Sequence, residues 1–233
     1  YLESIRGKTI AVIGIGISNT PLIELLLDAG FSVTACDKRE RNQFDPALLA
    51  DLAGKGCRLV LGPDYLEHLN QDLIFRTPGL HPRYLEKARQ RGSQITSEME
   101  VFFEVCPCPI IAVTGSDGKT TTTTIISQLL SAAGRKVYVG GNIGHPLLAE
   151  ADTMSSDGVA VLELSSFQLM TMERSPQIAV LTNLAPNHLD IHTDMAEYVA
   201  AKERIFPFQT SVDKPVCNWD NDTTREFSRK SAS

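Results

Sequence analysis

The stretch "AVTGSDGKTTTTT", Ala112 to Thr124, holds the residue types of a phosphate-binding loop. The common form is G-x-x-x-x-G-K-[ST]: backbone N–H groups surround phosphate, the lysine reaches the β- and γ-phosphates, and the hydroxyl ligates Mg²⁺. Counting back from Gly118-Lys119-Thr120, the first glycine should fall at Val113. The glycine present is Gly115, with only Ser116 and Asp117 before Gly118. The loop is short for its type, yet its setting suits. "PIIAVTG" reads as a strand leading in and "GKTTTTTIISQLLSAAG" as a helix leading out. Ile125, Ile126, Leu129, Leu130 and Ala133 recur at helical spacing and are expected to form that helix's buried face. Five successive threonines are poor helix formers, so their hydroxyls are expected either to serve ligands or to face solvent.

A Mg²⁺ site wants further donors from neighbouring strand ends. "VAVLEL" delivers Glu163, followed by Ser165-Ser166, and a carboxylate just past four apolar residues is costly without a partner. A surface glutamate at a strand tip fits the same pattern. "IAVLTN" ends in Asn183 and runs into "LAPNHLDIH", which places His188 on the same carboxyl edge as either a ligand or a structural group. In the helix expected over Asp194–Phe206, Tyr198, Lys202, Ile205 and Phe206 share one stripe, so Lys202 lies on the apolar face. It either snorkels to solvent or loses its charge and is modified. A neutral amine that takes up CO2 becomes a carbamate, an anionic oxygen ligand.

A second glycine turn, Gly14-Ile15-Gly16-Ile17-Ser18-Asn19, follows the strand "KTIAVIG", with Asp37 at the tip of the next strand, "FSVTACD". That is the layout of a dinucleotide fingerprint with Asn19 in place of the third glycine. Three readings stand: a ligand-free βα turn, an NAD site, or a nucleotide diphosphate site in which Asp37 meets ribose and Lys38 and Arg39 meet phosphates.

Stepping outward, strand and helix patterns alternate along the chain. "CRLVLG", "DLIFRTPG" and a short strand near "SQITS", preceded by a helix over Pro82–Gly92, complete one β-α-β series. A second series starts after "CPCP" (Cys106–Pro109). The expected fold is α/β, a Rossmann-like parallel-sheet N-terminal domain followed by a P-loop NTPase-like central domain. The expected limits are 1–98 for the first domain and 99–219 for the second. Residues 220–233 are expected to be a linker or tail, because "NWDNDTTREFSRKSAS" is polar and lacks hydrophobic periodicity.

The 233 residues are 42% hydrophobic and carry a net charge of −6, which disfavours a nucleic-acid partner because that needs a concentrated basic face. No apolar run approaches the roughly 18–20 residues that span a bilayer. Five scattered cysteines without a C-x-x-C pair fit reduced thiols in the cytoplasm.

"TGSDGKTT", "GGNIGHPL", "LELSSFQL", "LTNLAPNHLDIH" and "YVAAKERIF", in this order over nearly the whole chain, resemble the Mur ligases, whose own P-loop has the shortened form. "GIGISN", "RTPGLHP" and "LELSSFQL" favour the D-glutamate-adding branch over the L-alanine-adding one. The resemblance implies an ATP-dependent ligase of peptidoglycan synthesis that joins D-glutamate to UDP-N-acetylmuramoyl-L-alanine through an acyl phosphate, as a cytoplasmic monomer. It implies ATP binding by Gly115, Ser116, Asp117, Gly118, Lys119, Thr120 and Thr121. Catalytic roles fall to Lys119, Lys202 and His188. Two Mg²⁺ ions would be held by Thr120, Glu163, His188 and a carbamate on Lys202. The UDP-substrate would be bound by Ile17, Ser18, Asn19, Asp37, Lys38, Arg39, Thr77, Pro78, Gly79, Asn142 and Ser165. Asn187 stands where many relatives have Asp. The family's third domain is expected to be missing, which leaves a UDP-sugar-binding fragment without ligation as the alternative. An NAD module would leave the second motif series unexplained, and no N-K-x-D segment supports a GTPase.

Overall fold

A computed structural model of the chain describes residues 1–185 and 192–231. Two compact units divide it, Tyr1–Val101 and Phe102–Ser233. The first contains β1 (Ile10–Ile13), α1 (Thr20–Asp28), β2 (Val33–Asp37), α2 (Pro46–Gly54), β3 (Arg58–Leu61), β4 (Leu73–Phe75), α3 (Glu86–Gln90) and β5 (Gln94–Thr96). Its five strands are parallel in the order β3-β2-β1-β4-β5. β1 is buried along its whole length, as a central parallel strand covered on both faces must be. The order reverses direction between β1 and β4, which opens a crevice at their carboxyl ends.

α4 (Glu98–Val105) runs across the division. The second unit follows with β6 (Ile110–Thr114), α5 (Lys119–Ala132), β7 (Val137–Gly141), β8 (Val159–Glu163), α6 (Ser166–Leu169), β9 (Ile178–Leu181), α7 (Met195–Glu203), β10 (Lys214–Cys217) and α8 (Asp222–Ser231). This sheet is also parallel, in the order β10-β9-β6-β8-β7, so β6 carries the candidate P-loop at its centre. The architecture is α/β with two parallel sheets. Among the described residues, no helix is long and apolar enough to cross a membrane.

Three local expectations change. The helix expected over Pro82–Gly92 begins as a 3₁₀ turn, Pro82–Leu85, and becomes α-helical only over α3. Residues 222–231 form α8 instead of a linker or tail; Phe227 is buried and anchors that helix despite its polar composition.

The third change concerns α5. Its buried residues are Thr123 and Ser127, whereas Ile125 and Leu129 are 50% and 65% exposed. Helical phase explains this. The Thr120 hydroxyl donates to Glu163 Oε2 at 2.6 Å, which turns the 120–123–127 stripe toward the sheet. The apolar residues of the sequence pattern then straddle the flank and the outer face. Thr124 and Ser127 hydroxyls return to the carbonyls of Thr120 and Thr123 at 2.8 and 2.7 Å, so Thr124 serves the helix itself while Thr120 serves Glu163.

This phase has a measurable consequence. In urea denaturation, Leu129→Ser should change stability by less than about 0.5 kcal/mol. Thr123→Leu should cost about 1–3 kcal/mol by overpacking the seam.

Candidate functional site

Two sites emerge, one in each unit. In the second, β6 delivers a tight loop to the N-terminus of α5. Gly115 has φ +151°, and a Cβ there would lie 1.9 Å from Thr182 Oγ1, so the loop needs glycine where it rests on the end of β9. Ser116 N–H donates to Asn183 O at 2.9 Å and Asp117 N–H to Asn183 Oδ1 at 3.0 Å. The Asp117 carbonyl accepts from Thr182 Oγ1 at 2.7 Å and Asn183 Nδ2 at 3.2 Å. Gly118, left-handed at φ 78°, caps α5, and the helical ladder opens with Thr122 N–H on Gly118 O. The amides from Gly118 to Thr121 therefore point off the helix end, the setting in which a helix dipole favours an anion. The Lys119 amine sits on this loop, donating to Ser116 O at 2.8 Å.

The Ser116 hydroxyl is saturated: it accepts from Ala185 N–H at 2.9 Å, donates to Ala185 O at 2.9 Å, and meets Tyr198 OH at 2.9 Å. One hydroxyl hydrogen serves one acceptor, so Tyr198 is the donor in that last bond. Burial pushes the Tyr198 phenol up from its ordinary pKa and keeps it protonated for this task. Ser116 thus shapes the loop through its side chain. Sequence reasoning missed Tyr198, although its place four residues before Lys202 on one helix face was visible.

Glu163, 2% exposed at the end of β8, has both oxygens engaged. Thr120 donates to Oε2 at 2.6 Å and Asn142 Nδ2 to Oε1 at 2.8 Å, while Asn142 N–H binds the Glu163 carbonyl at 2.7 Å. Lys202 is also 2% exposed and lies within the Tyr198, Ile205 and Phe206 stripe, so it does not snorkel. Its amine donates to Thr114 Oγ1 at 3.3 Å and sits 4.9 Å from the Tyr198 ring centre. Burial, reinforced by the Lys119 charge and partly opposed by Glu163, lowers its pKa to about 7. Gly115 to Thr121, Asn142, Glu163 and Lys202 thus meet at the carboxyl end of the second sheet. Ser165 follows it as the N-cap of α6, accepting from Gln168 N–H. His188 lies outside the described residues. Close by in sequence, His192 binds Ser166 Oγ through Nε2 at 2.9 Å and stacks on Phe167. Among the described residues, no three His, Cys, Asp or Glu side chains gather into a metal-binding group. Thr120, Glu163 and a modified Lys202 would supply hard oxygen donors, the kind Mg²⁺ takes.

The second site is a cavity of about 380 Å³ at the crevice of the first unit. Ile17, Ser18, Asn19, Asp37, Lys38, Arg39, Thr77 and Gly79 line it, joined by Tyr65 and Leu80, which sequence reasoning did not pick out. Asn19 is buried, and its amide donates to Ile13 O at 2.8 Å, stitching α1 to β1 where a glycine was expected for close packing. Asp37 receives four donors: Ile15 N–H at 2.8 Å, Arg39 N–H at 2.9 Å, and Arg39 Nε and Nη2 at 3.1 and 2.9 Å. Burial pushes its carboxyl upward, but the bonds from Arg39 and Ile15 outweigh that and hold it below the usual carboxylate range. Arg39 stacks over Phe44, 4.1 Å from the ring centre. Lys38 is exposed at the mouth. Pro78 stands beside the lining, its carbonyl turned to Arg76 at 3.1 Å.

A parallel sheet whose central strand feeds a glycine loop and a helix N-terminus makes the second unit a P-loop α/β fold. Residues 113–233 match the Mur ligase middle domain, and the chain belongs to the Mur ligase family. It is 50% identical over 231 residues to a UDP-N-acetylmuramoylalanine–D-glutamate ligase of Acetivibrio thermocellus, covering 97% of this chain and 49% of that protein. The like-named ligase of Clostridium botulinum is 48% identical, with 97% and 50% covered. The chain thus spans about half the length of these curated relatives. Among solved structures, a UDP-N-acetylmuramate:L-alanyl-γ-D-glutamyl-meso-diaminopimelate ligase from Neisseria meningitides shares the fold at 21% identity and TM-score 0.60, covering 96% of this chain and 75% of that one. A UDP-N-acetylmuramate–alanine ligase from Thermotoga maritima does so at 22% identity and TM-score 0.52, with 94% and 51% covered.

The Lys202 environment makes stability pH-dependent. The folded pKa lies below the unfolded one, so the unfolded chain binds the extra proton between about pH 7 and the ordinary lysine value near 10.5, and stability rises with pH across that window. In CO2-free buffer, the stability advantage of Lys202→Met over the native chain should be largest near pH 6. It should shrink by roughly 2–5 kcal/mol toward pH 10, read by denaturant unfolding.

Proposed function

We propose that this chain supplies the substrate- and nucleotide-binding parts of an ATP-dependent, ADP-forming ligase that adds D-glutamate to UDP-N-acetylmuramoyl-L-alanine. The observation that carries this is the buried Glu163 carboxylate at the P-loop, held by Thr120 and Asn142, with the buried Lys202 amine in the same unit. The names of the relatives support the choice of substrates. In the reaction, an oxygen of the substrate's terminal carboxylate attacks the γ-phosphorus of ATP, the bond to ADP breaks, and an acyl phosphate forms. The D-glutamate nitrogen then attacks the acyl carbon, phosphate leaves, and the amine gives up its proton.

Lys119 and the α5 amides bind and orient the phosphates, the cation offsetting charge as the γ-phosphoryl transfers. Thr120 and Glu163 would hold Mg²⁺, whose charge neutralises phosphate oxygens when it is bound. A carbamate on Lys202 and His188 would complete the ligands for a second ion. The depressed pKa favours carbamate formation, because only the neutral amine reacts with CO2. The first unit's cavity takes the UDP group: Lys38 faces the phosphates, and the Asp37–Arg39 pair fixes the wall the nucleotide meets. The enzyme acts in the cytoplasm as a monomer.

Two measurements test these assignments. Calorimetry should show UDP-N-acetylmuramoyl-L-alanine binding tighter than NAD, and Lys38→Glu should weaken it about tenfold (about 1.4 kcal/mol) without moving the melting temperature. Tighter NAD binding would overturn the cavity assignment. With ¹³C-bicarbonate, NMR should show a carbamate carbon that is stronger at pH 8.5 than at pH 6.5 and missing from Lys202→Arg. A spectrum identical in the variant would remove the carbamate.

A further inference from the structure

Arg76, immediately after β4, is 1% exposed and stands among the largest fully buried side chains in the chain. Its Nη1 donates to three carbonyls of one loop: Leu80 O at 2.9 Å, Pro78 O at 3.1 Å and Thr77 O at 3.3 Å. Its own N–H is tied to Thr96 O at 2.7 Å, so the side chain leaves a backbone fixed to β5. The loop it grips closes on itself through Leu80 N–H to Thr77 O at 3.1 Å. Three residues of that loop, Thr77, Gly79 and Leu80, line the 380 Å³ cavity. The loop is also tight against the opposite wall: a Cβ at Gly14 would lie 3.1 Å from Thr77 Cβ.

Burying a guanidinium is costly unless its hydrogens find acceptors, and buried carbonyls are costly unless they find donors. Burial lowers the Arg76 pKa and the Glu100 carboxylate partly restores it, yet a guanidinium remains charged. All three bonds leave Nη1, which stands one bond farther along the side chain than a lysine Nζ, so a lysine ammonium does not reach the same point.

We propose that Arg76 is a positioning residue, a buried guanidinium that sets the Thr77–Leu80 backbone and so fixes one wall of the nucleotide cavity. Its ligand arm rests on the reading of that cavity as a UDP site; its backbone arm does not. The test compares the native chain with Arg76→Lys and Arg76→Gly, measuring amide hydrogen exchange at Gly79 and Leu80 and calorimetric UDP binding, each with and without low millimolar guanidinium.

Arg76→Gly should exchange Leu80 at least tenfold faster and bind UDP at least tenfold more weakly, with guanidinium restoring part of both and leaving the native chain unchanged. Arg76→Lys, which keeps the charge but ends one bond short of Nη1, should fold with a native-like melting temperature and still show the binding loss. If the glycine variant does not fold, the lysine variant decides alone. Leu80 exchange and UDP affinity within twofold of native in the folded variants would overturn the proposal. A native chain that fails to bind UDP would fell the cavity reading instead, and exchange at Leu80 with its guanidinium rescue would still decide Arg76.

Discussion

A carboxylate cannot be buried at the end of an apolar strand without donors, and the second unit is organised around meeting that need for Glu163. Its two partners come from different segments, Thr120 at the start of α5 and Asn142 just after β7. They converge because Glu163 is in register with Val113 on one side and Gly141 on the other. The same bond from Thr120 fixes the rotation of α5, which buries hydroxyl residues and leaves Ile125 and Leu129 outside. One buried charge thus couples strand register, helix phase and the place where a cation would sit.

The shortened loop depends on a second set of constraints. With two residues fewer than the common form, it spends the amides of Ser116 and Asp117 on Asn183 and rests Gly115 on Thr182. Tyr198 and Lys202, one helical turn apart on α7, bind Ser116 and Thr114 from within the unit. The lysine amine is held where burial lowers its pKa to about 7. Loop shape and the lysine's lowered basicity therefore share one helix face.

The first unit solves a related problem with ion pairs in place of a helix. Asp37 accepts from Arg39 and the Ile15 amide, which ties the glycine turn to the end of β2. The fingerprint pattern records residue type at a strand tip and is silent on these donors. Arg76 anchors the facing loop in the same manner. Both walls of the cavity are backbone held by buried charge.

The sequence alone was enough for β1 to β9, the parallel character of both sheets and the strand–loop–helix setting of Gly115–Thr121, because local spacing and apolar runs record them directly. The missing loop spacing pointed to the family for the same reason. The sequence did not disclose the phase of α5: the apolar residues at 125, 126, 129, 130 and 133 share one face, yet the structure turns the neighbouring Thr123–Ser127 stripe inward, in line with the long-range bond from Thr120 to Glu163. Nor did it disclose α8, where Thr224 and Phe227 are buried among polar neighbours and leave no hydrophobic periodicity. Tyr198 on Ser116, Asn142 on Glu163 and Arg76 on the Leu80 carbonyl were decided by tertiary structure alone. Each joins groups whose need for a partner appears only once folding has removed water from around them.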